Sequence, residues 1–294
     1  MPHLTPAAKI LAVFSFFAIS LQTSAQSPDL VSELREDVAF LSDSLSAGRE
    51  FGSKEALGTA FYVNKVFREA GLWTRFQIFR KEGVNGRNVI GFTPGFYDDY
   101  IVVGAHFDGL GAGEDGYYPG ADSNASGTAA LLALARSMKH AGSRTGVIFV
   151  AFDAHGRDME GSRAFLEEIG GLHNIKMMVN LDILGSTSAP LREDRPDYLI
   201  ALGASQYRYA LERLNRATRL HLGYDYYGSS RFTDLFYKNI SDQKWFVQKR
   251  IPSVMFTSGI TMDTNRQSDT ADKLDYSVMA RRVLLIENWL RSLL

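Results

Sequence analysis

The chain has 294 residues, 45% of them hydrophobic, a formal net charge of -1 and no cysteine. Lack of cysteine excludes disulfides, thiolate metal ligands, a cysteine nucleophile and a lipidated cysteine, so any metal must rest on His, Asp or Glu. Near-zero charge with interspersed signs offers no basic stripe, which argues against nucleic acid and anionic membrane surfaces as partners.

Residues 1–25 read as a secretory signal. Lys9 precedes the apolar run Ile10 to Leu21, and Thr23-Ser24-Ala25 is a small-residue cleavage site before Gln26. The run is about twelve residues, short of the roughly twenty that cross a bilayer, so no membrane anchor is expected. An exported protein, periplasmic or secreted, follows. Residues 26–294 then hold enough apolar residues for a single domain.

From Leu30 to Leu72 apolar residues recur at helical spacing. Leu34, Val38 and Leu41 precede the Gly-bearing stretch Ser46 to Ser53, and Ala60, Val63 and Phe67 follow it, which predicts two helices around a loop. Short β-rich runs come next, at Thr74 to Phe79 and Asn88 to Phe92. The run Tyr100 to Ala105 lacks polar alternation, so it is a strand buried on both faces, and it stops at His106-Phe107-Asp108. Residues 111–127, rich in Gly, Asp, Asn and Ser, form a loop in which Asn124 or Ser126 can cap the helix Ala129 to Met138. Strands at Val147 to Phe152, Met177 to Leu181, Tyr198 to Leu202 and Ser253 to Phe256 then alternate with helices at Ser162 to Ile169 and Tyr207 to Arg219. This alternation predicts an α/β fold, a mostly parallel central sheet between two helix layers in an α/β/α sandwich. Such sheets bind ligands beyond the carboxyl ends of their strands, where His106, Asp108, His155 and Asp182 fall.

Without thiolates, zinc is held by imidazole and carboxylate, and a two-metal hydrolytic site needs a bridging carboxylate, outer ligands and a base. His106, Asp122 and Asp182 suit the ligand roles. The Asp108 carboxylate, two residues after His106, can accept the imidazole N–H and orient the ring. Singly, each has a plainer reading as a hydrogen-bonded histidine or as turn chemistry. Their joint placement at strand ends is what points to a site.

Val103 to Asp108, Gly120 to Gly127 and Val179 to Gly185 resemble the metal-site segments of metallopeptidase family twenty-eight. That family holds bacterial leucyl aminopeptidases, glutamate carboxypeptidases and glutaminyl cyclases. The likeness begins at Ser46 to Ser53, similar to the family's Ala-Gly-Arg loop, runs through Phe152 to Phe165 and ends with Gly259 to Tyr276. The resemblance implies a zinc-exopeptidase fold, with His106 and Asp182 as outer ligands of one zinc and Asp122 as the carboxylate bridging two. It also implies Asp108 as the orienter of His106 and a cis peptide between Asp122 and Ser123.

The other half of the site departs from the family. Where the family carries two consecutive glutamates, a general base and a second-zinc ligand, this chain has His155 and Gly156. Asn265 stands at the place of a histidine ligand, and Gln243 at that of a histidine near the substrate. The second metal is therefore expected to be lost, leaving at most one zinc. His155 is expected first to pack into the vacated space, second to add a ligand, third to act as base. Asp158 and Glu160 head a helix, where acidic residues meet the dipole favourably, so they are not displaced catalytic groups. Asp242 keeps a substrate-cleft position.

The expected function is an exported zinc aminopeptidase-like domain, hydrolytically impaired, that binds a peptide or protein chain terminus in the old cleft. Two alternatives stay open. One is an active single-metal exopeptidase or amidohydrolase on His106, Asp122 and Asp182. The other is a metal-free binding domain in which His106 and Asp108 satisfy each other. The aromatic segment Tyr224 to Tyr237 is expected to be a lid or a partner surface.

Overall fold

The computed structural model describes residues 28–138 and 144–294, so the signal sequence read in residues 1–25 lies outside the described residues. In chain order the strands are β1 (Trp73–Lys81), β2 (Val84–Phe92), β3 (Asp99–His106), β4 (Ala112–Gly113), β5 (Gly116–Tyr117), β6 (Thr145–Phe152), β7 (Ile175–Leu181), β8 (Tyr198–Leu202), β9 (His221–Gly223) and β10 (Ser253–Thr257). The α-helices are α1 (Pro28–Ser42), α2 (Lys54–Glu69), α3 (Gly127–Ser137), α4 (Glu160–Glu168), α5 (Arg208–Leu214), α6 (Ser230–Leu235), α7 (Lys244–Gln248) and α8 (Tyr276–Arg291).

Apart from the small β4–β5 ribbon, the strands form one sheet in the order β1-β2-β6-β3-β7-β10-β8-β9. Its central strands β6, β3, β7 and β10 run parallel, whereas β2 joins β6, and β8 joins β10, antiparallel. The centre is apolar on both faces, as parallel sheets must be, because helices cover each side. Ile101, Val103, Val147, Phe149 and Ala151 pack into the larger core beneath α1, α2, α3 and α8. Their alternates Val102, Ile148, Val150 and Phe152 pack with Phe165 of α4 and Phe246 of α7. The three-layer α/β/α expectation is met. Among the described residues, no helix is long and apolar enough to cross a membrane.

The longest departures from the sequence reading are at helices α5 and α8. Helix α5 stops at Leu214 instead of running to Arg219, because the Asn215 side chain accepts from the Leu220 amide at 2.9 Å and from the Thr218 hydroxyl at 2.8 Å and so folds the chain back. Helix α8 was not anticipated. Its start is fixed by Asp275, whose carboxylate accepts from the Val278 amide at 3.0 Å, and it buries Met279, Val283, Ile286 and Trp289 against the larger core.

Parallel register aligns the strand ends that matter. His106 sits opposite Phe152, so His155 emerges three residues beyond the end of the neighbouring strand. Asp182 directly follows β7, on the other side of β3. Three strands thus deliver three polar side chains to one end of the sheet.

Candidate metal centre

His106, His155 and Asp182 converge, with one candidate ligand atom from each lying within 4.8 Å of the others. The imidazoles of His106 and His155 stack, ring centres 3.7 Å apart and planes 13° off parallel. His106 Nε2 lies 3.6 Å from Asp182 Oδ1. The rings are held from behind: His106 Nδ1 meets the Asp108 backbone carbonyl at 3.1 Å, and His155 Nδ1 meets Asp242 Oδ2 at 3.0 Å. With both Nδ1 atoms engaged, the Nε2 atoms are left to face a ligand. The backbone is pinned as well, since Asn124 Nδ2 donates to the carbonyls of His106 and Leu181, and Thr128 Oγ1 donates to that of His106.

Burial and charge oppose each other here. Burial pulls the His106 pKa down, but the carboxylates of Asp108 and Asp182 overcome it and raise it to about 10. Burial likewise pushes Asp182 up, and the two imidazoles with the Ser241 hydroxyl hold it down at about 2. An incoming cation therefore competes with a proton on His106 for the same carboxylates.

A cavity of about 210 Å³ opens beside these groups. Its lining includes the ionisable His106, Asp108, His155 and Asp182, the neutral Ser123, Gly156, Thr264 and Asn265, and the apolar Leu110, Phe236, Ile240, Met255 and Ile260. Of the aromatic segment Tyr224 to Tyr237, Phe236 lines the cavity.

The profile of peptidase family M28 matches residues 88–290. This chain belongs to peptidase family M28. It is 28% identical over 250 residues to the uncharacterized YfbL of Escherichia coli K12, covering 76% of each chain. It is 24% identical over 212 residues to a probable zinc metalloprotease of Pyrenophora teres f. teres, covering 67% of this chain but 45% of that one. Its fold is that of LapA from Legionella pneumophila, with a TM-score of 0.76 at 15% identity over 97% of this chain and 79% of the other. It is equally that of BSAP, a zinc aminopeptidase of Bacillus subtilis, with a TM-score of 0.72 at 14% identity over 90% and 95%.

Against that family background, several site residues fall differently from the sequence reading. Asp122 does not reach the cluster. Its Oδ1 accepts from the amides of Gly185 at 2.7 Å and Ser186 at 3.2 Å and from the Ser126 hydroxyl, which anchors it beneath the loop, and Ser123 lines the cavity instead. The cis peptide is displaced by the same single residue, to Ser123–Asn124. Asn124, not Ser126, caps α3, by accepting from the Gly127 amide at 3.2 Å.

Asp108 orients His106 through its backbone carbonyl. The carboxylate is 3.7 Å from Nδ1, too far for a hydrogen bond, and accepts from the His155 amide at 3.0 Å instead. Asp242 is wholly buried behind His155 and does not line the cavity. Asp158 and Glu160 do stand at the head of α4, paired with Lys244 and with Lys81 and Arg163, away from the cavity. Sequence reasoning missed Ser123 and Ser241, for which only their neighbours Asp122 and Asp242 gave a signal.

A test separates Asp122 from the ligands. Burial and the nearby Asp269 charge raise its pKa to about 6, against the pull of the Gly185 amide. A carboxyl with a raised folded-state pKa contributes stability at low pH that is lost as pH climbs through that value. Asp122→Asn is expected to remove this loss, so that wild type melts lower than the variant by roughly 5 °C at pH 7 but not at pH 4. Elemental analysis should find the same metal content in both proteins. A fall in the variant would return Asp122 to the ligand set.

Proposed function

We propose that this M28 protein is exported, holds one zinc ion between His106, His155 and Asp182, binds a peptide terminus in the adjoining cavity, and hydrolyses poorly. The donor set fits the ion. Two imidazoles and a carboxylate are an accepted three-ligand set for zinc, and both rings have the backing acceptor that ligating histidines require. When bound, the metal supplies a Lewis acid that polarises a carbonyl.

The observation that carries the reading is the posture of His155. At the place of the family's general base, its ring lies flat on His106 with Nδ1 taken up by Asp242. A side chain so held keeps one free nitrogen, Nε2, and in this reading the metal takes that nitrogen, so that it no longer accepts a proton from water. We therefore place ligation ahead of the packing role that the sequence reading put first. Among the described residues nothing replaces the missing half: a Cβ on Gly156 would meet no atom within 4 Å, and Asn265 offers only a neutral amide, a weak donor to zinc. The apolar lining suits an aliphatic side chain, and the cavity has room for about one residue.

Export rests on Lys9, the apolar run Ile10 to Leu21 and the small residues before Gln26. Expression of residues 1–294 should yield protein outside the cytoplasm whose first residue is Gln26.

Zinc-loaded wild type, dialysed free of loose ion, is expected to carry one equivalent by elemental analysis, and His106→Ala less than about a tenth. A broad aminoacyl-amide panel should show no zinc-dependent turnover. Metal well below one equivalent in wild type would overturn the site, and robust metal-dependent turnover would overturn the impairment.

A further inference from the structure

Behind the cluster lies a short segment that touches two of the three candidate ligands at once. Ser241 Oγ donates to Asp182 Oδ2 at 2.5 Å, and the next residue, Asp242, takes His155 Nδ1 on its Oδ2 at 3.0 Å. The sequence gives no hint of this, since the partners are 59 and 87 residues away. Spatially it is economical. Asp182 ends β7 and His155 follows β6, strands separated in the sheet by β3, which carries His106. One turn between residue 240 and α7 therefore spans the whole cluster from behind.

The segment is itself fixed. Asn180, the penultimate residue of β7, donates from Nδ2 to Ser241 Oγ at 2.7 Å and to Gln243 Oε1 at 2.8 Å. Gln243 in turn donates to the carbonyls of Phe236 at 2.9 Å and Tyr237 at 3.0 Å. Asn180, Ser241, Asp242 and Gln243 are all without solvent exposure. The glutamine that replaces a family histidine is thus a brace for the backbone of this turn.

Asp242 is costly to keep. It is fully buried, and its Oδ1 has no hydrogen-bond partner among the described residues. A buried acceptor left unpaired is unfavourable, more so when charged, so packing alone does not account for a carboxylate here.

We propose that Ser241 and Asp242 form one positioning device for the metal. Asp242 fixes the ring plane and tautomer of His155 so that Nε2 is the ligating atom, and Ser241 fixes which oxygen of Asp182 turns toward His106. Neither residue touches the ion; both act through the ligands they hold. The proposal rests on the one-metal reading above, and its test separates the two.

Full-length wild type, Asp242→Asn and Ser241→Ala are titrated with cobalt(II), following the visible absorption of the bound ion and its affinity against a chromophoric chelator. Melting temperatures of the metal-free proteins are measured alongside. Asparagine keeps the shape and one acceptor oxygen but loses the charge. Asp242→Asn is expected to weaken cobalt binding about 10- to 100-fold and shift the visible band, and Ser241→Ala to weaken it about 10-fold. The metal-free melting temperatures should stay within a few degrees of wild type.

If Asp242→Asn binds cobalt within twofold of wild type and with the same spectrum, the positioning role is overturned while the one-metal reading stands. If wild type takes up no cobalt, both fall. Weakened binding that tracks a collapsed metal-free melt would assign a structural role and also overturn the proposal. Should Asp242→Asn fail to fold, Ser241→Ala carries the test with the same readouts.

Discussion

The quadruple variant Ser123→Asp, His155→Glu, Gly156→Glu, Asn265→His is expected to take up two equivalents of zinc instead of one and to hydrolyse aminoacyl amides at least about 100-fold faster than wild type, the lower range of what a general base contributes. Each position can accept its new side chain. Gly156 has open space around a built Cβ and no left-handed backbone, so a glutamate there is unstrained and enters the cavity that Gly156 already lines. Asn265 has φ near 63°, a region that histidine tolerates far better than β-branched residues do. Ser123 already faces the cavity. A glutamate at 155 would stand beside buried Asp242, and two such carboxyls share a proton and raise each other's pKa, which suits a base near neutrality.

His155→Glu alone should do the opposite. It deletes one imidazole from the cluster and adds a carboxylate beside another, so metal content should fall below one equivalent. Elemental analysis and a leucine amide assay decide both cases. Restoration that stops at one equivalent would mean that the second half of the site has been lost in the backbone and not only in four side chains.

How much of this was legible in the sequence follows from the range of each interaction. His106 and Asp182 could be placed because an apolar run ends where a buried strand ends, and a parallel sheet collects such ends. Asp122 was misplaced by one residue. In a loop of Gly, Asp, Ser and Asn every side chain is compatible with a turn, and only the partners decide which faces the cavity; those partners are the amides of Gly185 and Ser186, over sixty residues on. The His155–Asp242 contact joins residues 87 apart and has no periodicity to betray it. Helix α5 was read too long because its apolar spacing continues past Leu214, whereas the Asn215 side chain ends it through bonds within five residues.

Arg49→Met is expected to cost about 3–5 kcal/mol, the usual result of leaving buried polar partners without their charge, and to lower the melting temperature by roughly 10 °C for a chain of this size. Arg49 is fully buried. Its Nε donates to the Phe107 carbonyl at 2.8 Å, Nη1 to those of Pro119 at 2.9 Å and Leu41, and Nη2 to that of Gly120 at 3.1 Å. Burial lowers its pKa to about 10, with Asp108 and Asp269 opposing, so it stays cationic at neutral pH. Lysine cannot substitute, because a single ammonium lacks the planar fork that reaches four carbonyls. Phe107 lies between His106 and Asp108, and Gly120 precedes the turn that carries Ser123, so the same side chain that ties α1 to these loops also fixes one candidate metal ligand and one side of the cavity. Loss of Arg49 should therefore weaken metal binding together with stability, whereas Asp122→Asn should change stability alone. A melt within 2 °C of wild type, or an unchanged cobalt affinity in a clearly destabilised Arg49→Met, would separate the loop anchor from the metal centre.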